Sequence, residues 1–230
     1  MDTCFLSLIV LSYIQKQVLL DGTMRIIDLT QKIYEGMNVY PGDPEVKITE
    51  ECTLAKDGYT VFKIQINDQI GTHIETQYHM LQGKRLVDEH ISRFIGIAHV
   101  IDVPCRKITK DDLQQSGDSL KSCEFLLLRS RYSQTRKNIN VNDINRPVLG
   151  IEAIKWIVEQ GIRLIGIDCF DFDEPPHYPG HKYLLKHNVL IVEGLTNLGS
   201  LVKKRIKLFV IPLKIERTGA SPCRAFAIEE

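Results

Sequence analysis

Two stretches of this chain concentrate side chains that hold metal ions and move protons. The first is Gly71-Thr72-His73-Ile74-Glu75-Thr76-Gln77-Tyr78-His79, directly after a predicted strand. In an extended segment residues two apart share a face, so His73 and Glu75 can reach one ion. Gly71 lets the backbone take a conformation that other residues resist. His79 lies four residues beyond Glu75 and comes back to the site only if the segment turns. The second stretch runs from Asp171 through Phe172, Asp173, Glu174, two prolines, His177, Tyr178, Pro179 and Gly180 to His181. A short helical stretch, His181 to Lys186, and a return through Asn188 would bring Glu193 near His181. A lone histidine is more often a hydrogen-bonded surface residue than a ligand. Two histidines with a carboxylate form a donor set for zinc or a harder divalent ion. Such an ion activates water and polarises a carbonyl. His90, His99 and His187 have no partner pattern and read as structural.

Other chemistries find little support. The chain has no G-x-x-x-x-G-K-[ST] loop, no G-x-G-x-x-G after a strand and no G-x-S-x-G elbow. Its six cysteines (Cys4, Cys52, Cys105, Cys123, Cys169 and Cys223) include no C-x-x-C pair, which argues against a zinc ribbon or a thioredoxin-like motif. They read as reduced structural thiols of a cytoplasmic protein. Twenty-nine basic residues balance twenty-nine acidic ones, so no global field draws the chain to nucleic acid or an anionic membrane. With 230 residues, 43% apolar and 25% charged, the expectation is one soluble globular domain with a full core.

The elements that must position these residues follow from apolar periodicity. Met24 opens a strand, Met24 to Leu29, and the alternation in Val46–Thr49 and Val61–Ile66 reads as half-buried strands. Tyr40-Pro41-Gly42-Asp43-Pro44 is a turn. Apolar runs at Ile97–Val103, Phe125–Leu128, Leu164–Ile167, Val189–Val192 and Leu208–Ile211 predict strands buried on both faces. Ile151, Ile154, Ile157 and Val158 form one stripe of a helix that Gly161 ends. Thr109 to Gln115 opens like a shorter capped helix. The class is α/β or α+β around a mixed sheet, with no linker after residue 24. Residues 1–23 read as an N-terminal extension. Their apolar stretch, Phe5–Leu11, is far short of the ~20 residues that span a bilayer. They have neither the basic start nor the cleavage site of a secretory signal. The expectation is that residues 24–230 fold and work without them.

The motif residues resemble a known family. Gly71-Thr72-His73-Ile74-Glu75 with His79 is similar to the H-x-G-T-H-x-D-x-x-x-H signature of the metal-dependent cyclase family, which includes bacterial kynurenine formamidases and isatin hydrolases. Ile27-Asp28-Leu29-Thr30, the Tyr40–Pro44 turn, Gly166-Ile167-Asp168, the His181–Glu193 segment and Ser221-Pro222-Cys223-Arg224-Ala225 follow in family order. The resemblance thus covers nearly everything from Met24 onward. It implies a swivelling β/β/α fold with a mixed-sheet core, assembled as a homodimer or higher homo-oligomer. It also implies two divalent ions, commonly zinc, held by the motif's first two histidines, its aspartate, a downstream histidine and a glutamate. Residue by residue, His73 matches the second motif histidine, Glu75 the bridging aspartate, and His181 and Glu193 the downstream ligands. His79 matches the histidine with a general acid/base role. Two positions depart from the signature: its first histidine is Gln69 here and its aspartate is Glu75. A glutamine carbonyl is a weaker zinc ligand than imidazole and suits manganese better. Glutamate moves the carboxylate out by one methylene. The expectation is one firmly held ion, with a second weak or absent.

The reaction that the resemblance implies is hydrolysis of a small-molecule amide by metal-activated water, with N-formylkynurenine as the first substrate. Tyr40, Phe62 and Tyr78 are candidates for lining its pocket. Trp156, on the striped helix, reads as structural. Two alternatives accompany this reading: a manganese-dependent hydrolase of a cyclic amide of the isatin type, and a small-molecule-binding protein whose metal site has decayed.

Overall fold

Strand-forming runs build one large sheet that closes on itself. The computed structural model describes residues 18–20, 24–103, 107–115, 120, 122–132, 143 and 145–229. In chain order the first half contains β1 (Val18–Leu20), β2 (Met24–Asp28), β3 (Lys47–Cys52), α1 (Leu54–Asp57), β4 (Val61–Gln65), β5 (His73–Glu75) and β6 (Ile95–Asp102). There follow β7 (Lys107–Ile108), α2 (Lys110–Gln114), β8 (Phe125–Arg129), β9 (Val148–Leu149), α3 (Ile151–Glu159), β10 (Leu164–Ile167), α4 (Pro179–Lys186), β11 (Leu190–Glu193), β12 (Arg205–Pro212) and β13 (Ala220–Glu229).

The main sheet has the order β1-β2-β13-β12-β6-β8-β10-β11-β5, and β13 pairs a second time with β5. That last pairing closes seven strands, β13 through β5, into a mixed barrel. The strand β13 is long enough to do both. Its first residues, Ala220 to Pro222, pair with β5, and Phe226 to Glu229 pair with β2. The run β6, β8, β10, β11 is parallel, and its neighbours are antiparallel.

Alternate residues of these strands serve two cores. Phe125 and Leu127 of β8, with Leu164, Leu190, Val192 and Ile74, fill the barrel. Leu126 and Leu128, with Ile165, Ile167 and Ile191, face outward under α3 and α4. Burial on both faces explains why these runs are continuously apolar. Each large buried side chain contributes about 1.5–3 kcal/mol. Gly166 faces inward because a Cβ there would lie 2.6 Å from Leu127 Cδ2. The striped helix α3 buries Ala153, Ile154, Trp156 and Ile157, and Gly161 follows it at φ +76°. Thr109 caps α2 by accepting from the Asp112 amide, as its sequence predicts.

The half-buried reading holds for Val46–Thr49, where buried Val46 and partly buried Ile48 alternate with exposed Lys47 and Thr49, but that of Val61–Ile66 needs correction. Strands β3 and β4 pair only with each other in a separate hairpin, and every residue of β4 is exposed. Alternation reports a pleated strand but not whether a second layer covers it. Of the N-terminal extension, Val18–Leu20 pair antiparallel with β2. The Phe5–Leu11 stretch, Cys4 and Cys105 lie outside the described residues. Among the described residues no helix is long and apolar enough to cross a membrane.

Candidate metal centre

The site lies on the outer face of the barrel, where β5 and β11 meet beneath the start of α4. Ile74 points into the barrel core, so its neighbours His73 and Glu75 point out. The β5–β11 register sets Glu193 directly across from His73. His181 comes from above, in the first turn of α4, and the helix turns back through Asn188 at φ +59° into β11. His79 returns to the site because a 3₁₀ turn, Gln77–His79, follows β5.

These side chains converge. His73 Nε2 lies 3.3 Å from Glu75 Oε1 and 3.8 Å from Glu193 Oε2. His181 Nε2 lies 3.4 Å from Glu193 Oε1 and 3.8 Å from Glu75 Oε2. His79 Nε2 is 3.7 Å from Glu75 Oε1. Each carboxylate therefore reaches toward both His73 and His181. All four of His73, Glu75, His181 and Glu193 are buried, whereas His79 keeps 25% of its side chain exposed at the edge. The imidazoles are oriented from behind. The Gly71 carbonyl lies 3.1 Å from His73 Nδ1, and Asp173 Oδ2 lies 3.1 Å from His181 Nδ1. Asp173 Oδ2 also accepts from the His181 backbone amide at 2.8 Å, and the Phe172 ring stacks on His181 at 4.4 Å. Both histidines thus present Nε2 to the centre, the arrangement that second-shell partners impose on metal-binding imidazoles.

Electrostatics at the site favour a divalent cation. Glu75 Oε2, Glu193 Oε1 and Asp171 Oδ2 are buried with no hydrogen-bond partner. Unpaired buried carboxylate oxygens are destabilising by more than a neutral group would be. Burial pushes the Glu193 carboxyl up to about 7, against the opposing pull of His181. Burial also works on Glu75, but His79, His73 and His181 outweigh it and hold that carboxyl below its usual range. For His181, burial disfavours the charged ring, yet Asp173 and Glu193 hold it well above the ordinary value. A divalent cation would compete with protons for these groups. Two sets bring ligand atoms within 4.8 Å of one another: His73 with Glu75 and Glu193, and Asp171 with His181 and Glu193. The residues present therefore fit a divalent ion.

The site forms one wall of a cavity of about 550 Å³. Tyr40 lines it, and its hydroxyl lies 2.7 Å from that of Tyr178. Burial, then the Tyr178 hydroxyl, push the Tyr40 phenol well above its ordinary value.

The Cyclase family profile matches residues 27–174, which is more than half of the chain. The chain belongs to the Cyclase family. The kynurenine formamidase of Bacillus cytotoxicus is 29% identical over 205 residues, covering 86% of this chain and 95% of that protein. A solved structure described as a predicted metal-dependent hydrolase from Bacillus stearothermophilus is 27% identical with a TM-score of 0.74, covering 90% of this chain and all of that one. Isatin hydrolase A from Labrenzia aggregata, bound to benzyl benzoate, superposes with a TM-score of 0.81 at 22% identity, covering 97% and 98% of the two chains, and so shares the fold.

Within this cyclase-family site, three sequence expectations change. Phe62 does not line the cavity: it is 49% exposed on β4, in a hairpin that pairs only with itself. Tyr78 is 42% exposed and lies outside the cavity too, with the Arg85 guanidinium 4.8 Å from its ring centroid. Its side chain leaves the site because the 3₁₀ turn that returns His79 rotates its neighbour away. Gln69 lines the cavity but its amide nitrogen lies 3.0 Å from His79 Nδ1, so the structure gives it a side-chain partner other than an ion. The strand before it has ended at Gln65, and Asn67 Oδ1 accepts from the Gln69 amide in a turn. Asp171 and Asp173 stood in the second stretch of candidate metal-binding side chains without individual roles, and Tyr178 had none. The available cue was the spacing of Asp171 and Asp173, two apart and just beyond the strand that ends at Ile167.

Proposed function

We propose that this chain is a metal-dependent hydrolase of a carbon–nitrogen amide bond, arylformamidase-like, converting N-formylkynurenine and water to kynurenine and formate. One observation carries the reading: buried carboxylate oxygens without partners converge with two pre-oriented imidazoles at a cavity wall, and a half-exposed histidine stands beside them. When bound, a divalent ion would supply carbonyl polarisation and an activated water. His73, Glu75, His181 and Glu193 would hold it.

The chain's own groups supply the rest. The Gln69 amide donates to His79 Nδ1, so in the neutral ring the proton sits on Nε2, which faces Glu75 and the cavity. His79 can therefore give that proton to the departing nitrogen, and Glu75 stabilises the imidazolium that forms when the ring takes one up. Tyr40 and Tyr178 present hydroxyls to orient a polar substrate group. The kynurenine formamidase relative supports the substrate. The free thiols of Cys52, Cys169 and Cys223 support a reducing, cytoplasmic setting. We further read the barrel and its outer helices as the swivelling β/β/α arrangement, and the chain as a homo-oligomer.

A second reading has a specific observation behind it. Carboxylates outnumber imidazoles around the site, a donor balance that suits manganese better than zinc. That favours a manganese-dependent hydrolase of a cyclic amide. Assay of the chain loaded with zinc or with manganese, on N-formylkynurenine and on isatin, separates the two. His79→Ala should abolish turnover on the true substrate while ion content per chain is unchanged. Full activity in that variant would remove His79 from the mechanism.

A further inference from the structure

We propose that Asp171 is a metal ligand and that, with His181 and Glu193, it completes the second of the two ion sites that the family resemblance implies, beside the one at His73, Glu75 and Glu193. The inference rests on the metal-dependent reading above and adds a residue that the family signature does not contain. It also replaces the expectation of one firmly held ion, which followed from the departures at Gln69 and Glu75.

The geometry of Asp171 is that of an oriented ligand. Its residue is 3% exposed. Oδ1 accepts from the Asp173 backbone amide at 2.7 Å, which fixes the carboxylate plane. Oδ2 has no hydrogen-bond partner, and a carboxylate oxygen of Asp171 lies with His181 and Glu193 donor atoms in a set spanning at most 4.8 Å. Ligand bonds of roughly 2.0–2.3 Å place donors about 3–4.5 Å apart, so a small contraction closes the set on an ion. His181 contributes Nε2, because Asp173 occupies Nδ1.

Arg146 is the obvious competitor for Asp171, and its bonds go elsewhere. Its Nη1 donates to the Asp171 carbonyl at 2.8 Å and its Nη2 to the Asp173 carbonyl at 2.8 Å. The guanidinium stands 3.4 Å from Oδ2 as an ion pair without a hydrogen bond. It therefore lowers the cost of burying the carboxylate and leaves the lone pairs of Oδ2 available. Glu193 can serve both sites. Its Oε2 faces His73 at 3.8 Å, and its Oε1 faces His181 at 3.4 Å with no hydrogen-bond geometry. A bridging carboxylate between two ions accounts for both contacts and for the unpartnered oxygen.

The test is ion content. Full-length chain stripped with chelator, reloaded with manganese and desalted, would be measured by elemental mass spectrometry. We expect two ions per chain in the wild type and one in Asp171→Asn, whose remaining weak site should bind roughly tenfold or more less tightly. No ion in the wild type would overturn the metal-dependent reading itself. One ion in the wild type, or two in Asp171→Asn, would overturn the role of Asp171 while leaving that reading standing. Asp171→Cys with cobalt(II) keeps the test independent of how the asparagine variant folds. A thiolate on cobalt adds a near-ultraviolet charge-transfer band that imidazole and carboxylate ligands do not give. Its appearance in Asp171→Cys but not in the wild type, where the Cys169 thiol points at the Asp171 carbonyl, is the expected result. Its absence would exclude direct ligation.

Discussion

Gly194 holds the two halves of the metal centre together, and replacing it with alanine tests that directly. Its φ is +67°, a region where an L side chain is disfavoured by about 1–2 kcal/mol. A Cβ would also lie 2.4 Å from the Gly71 carbonyl oxygen, so reaching ordinary contact at 3.4 Å requires a displacement of 1.0 Å between backbones. The Gly194 carbonyl accepts from Thr72 Oγ1 at 2.6 Å and from Gln31 Nε2 at 2.8 Å, and both bonds resist that movement. Overpacking of this kind adds about 1–3 kcal/mol. The total is roughly 2–5 kcal/mol. For a chain of this size about 2–4 °C accompany each kcal/mol, so the melting temperature should fall by roughly 4–20 °C, about 10 °C at the middle of the range. Gly58 is the control. Its φ is +75° but nothing lies within 4 Å of its Cβ position. Gly58→Ala should therefore lose only the conformational part, about 1–2 kcal/mol or roughly 4 °C. Calorimetry of both variants in the same metal state gives the comparison. Because the Gly71 carbonyl holds His73 and Gly194 follows Glu193, Gly194→Ala should also bind its ion more weakly. Equal melting shifts in the two variants would refute the argument that close backbone approach, and not dihedral preference, requires glycine at 194.

Other outcomes follow from the same geometry. Asp173→Asn removes the charge behind His181 Nδ1, and ion affinity measured by chelator competition should fall roughly 10–100-fold with the fold intact. Asp168 accepts from the Ser130 amide and hydroxyl and from the Arg131 amide, so Asp168→Asn should destabilise by about 2 kcal/mol in denaturant titration. The Arg129 hydrogen bonds, together with Lys204, hold the Asp102 carboxyl well below its ordinary value of 3.8 against the effect of burial. A depressed carboxyl stabilises the fold above the unfolded value and loses that contribution as pH falls through the folded one. Asp102→Asn should therefore melt lower at pH 7 by no more than about 1 kcal/mol, given its exposure, and the gap should narrow below about pH 4.

Much of the fold was legible because burial on both faces leaves a composition mark. The runs Phe125–Leu128, Leu164–Ile167 and Val189–Val192 became β8, β10 and β11 because only a strand covered on both sides is apolar at every position. The helices α2 and α3 announced themselves through a Thr109 cap and an isoleucine stripe. Closure of the barrel was not legible, since it depends on β13 pairing with both β2 and β5, and no local pattern encodes which of two distant edges a strand meets. The exposed strand β4 misled for the converse reason: its alternation is real, but every one of its residues stays exposed.

Residue types and short spacings by themselves singled out the candidate donors, His73 and Glu75 on one strand face and His181 and Glu193 across a helical return, with His79 returning beside them if the chain turned. Those are decisions of local geometry, where a period of two or a single reversal sets direction. Tertiary structure alone decided which oxygens lack partners, that Asp173 holds His181, that Asp171 aims at the same point and that Phe62 and Tyr78 face away. Each depends on distances of a few ångströms between segments far apart in the chain. Such distances come from barrel closure and helix packing, which no single stretch of residues contains.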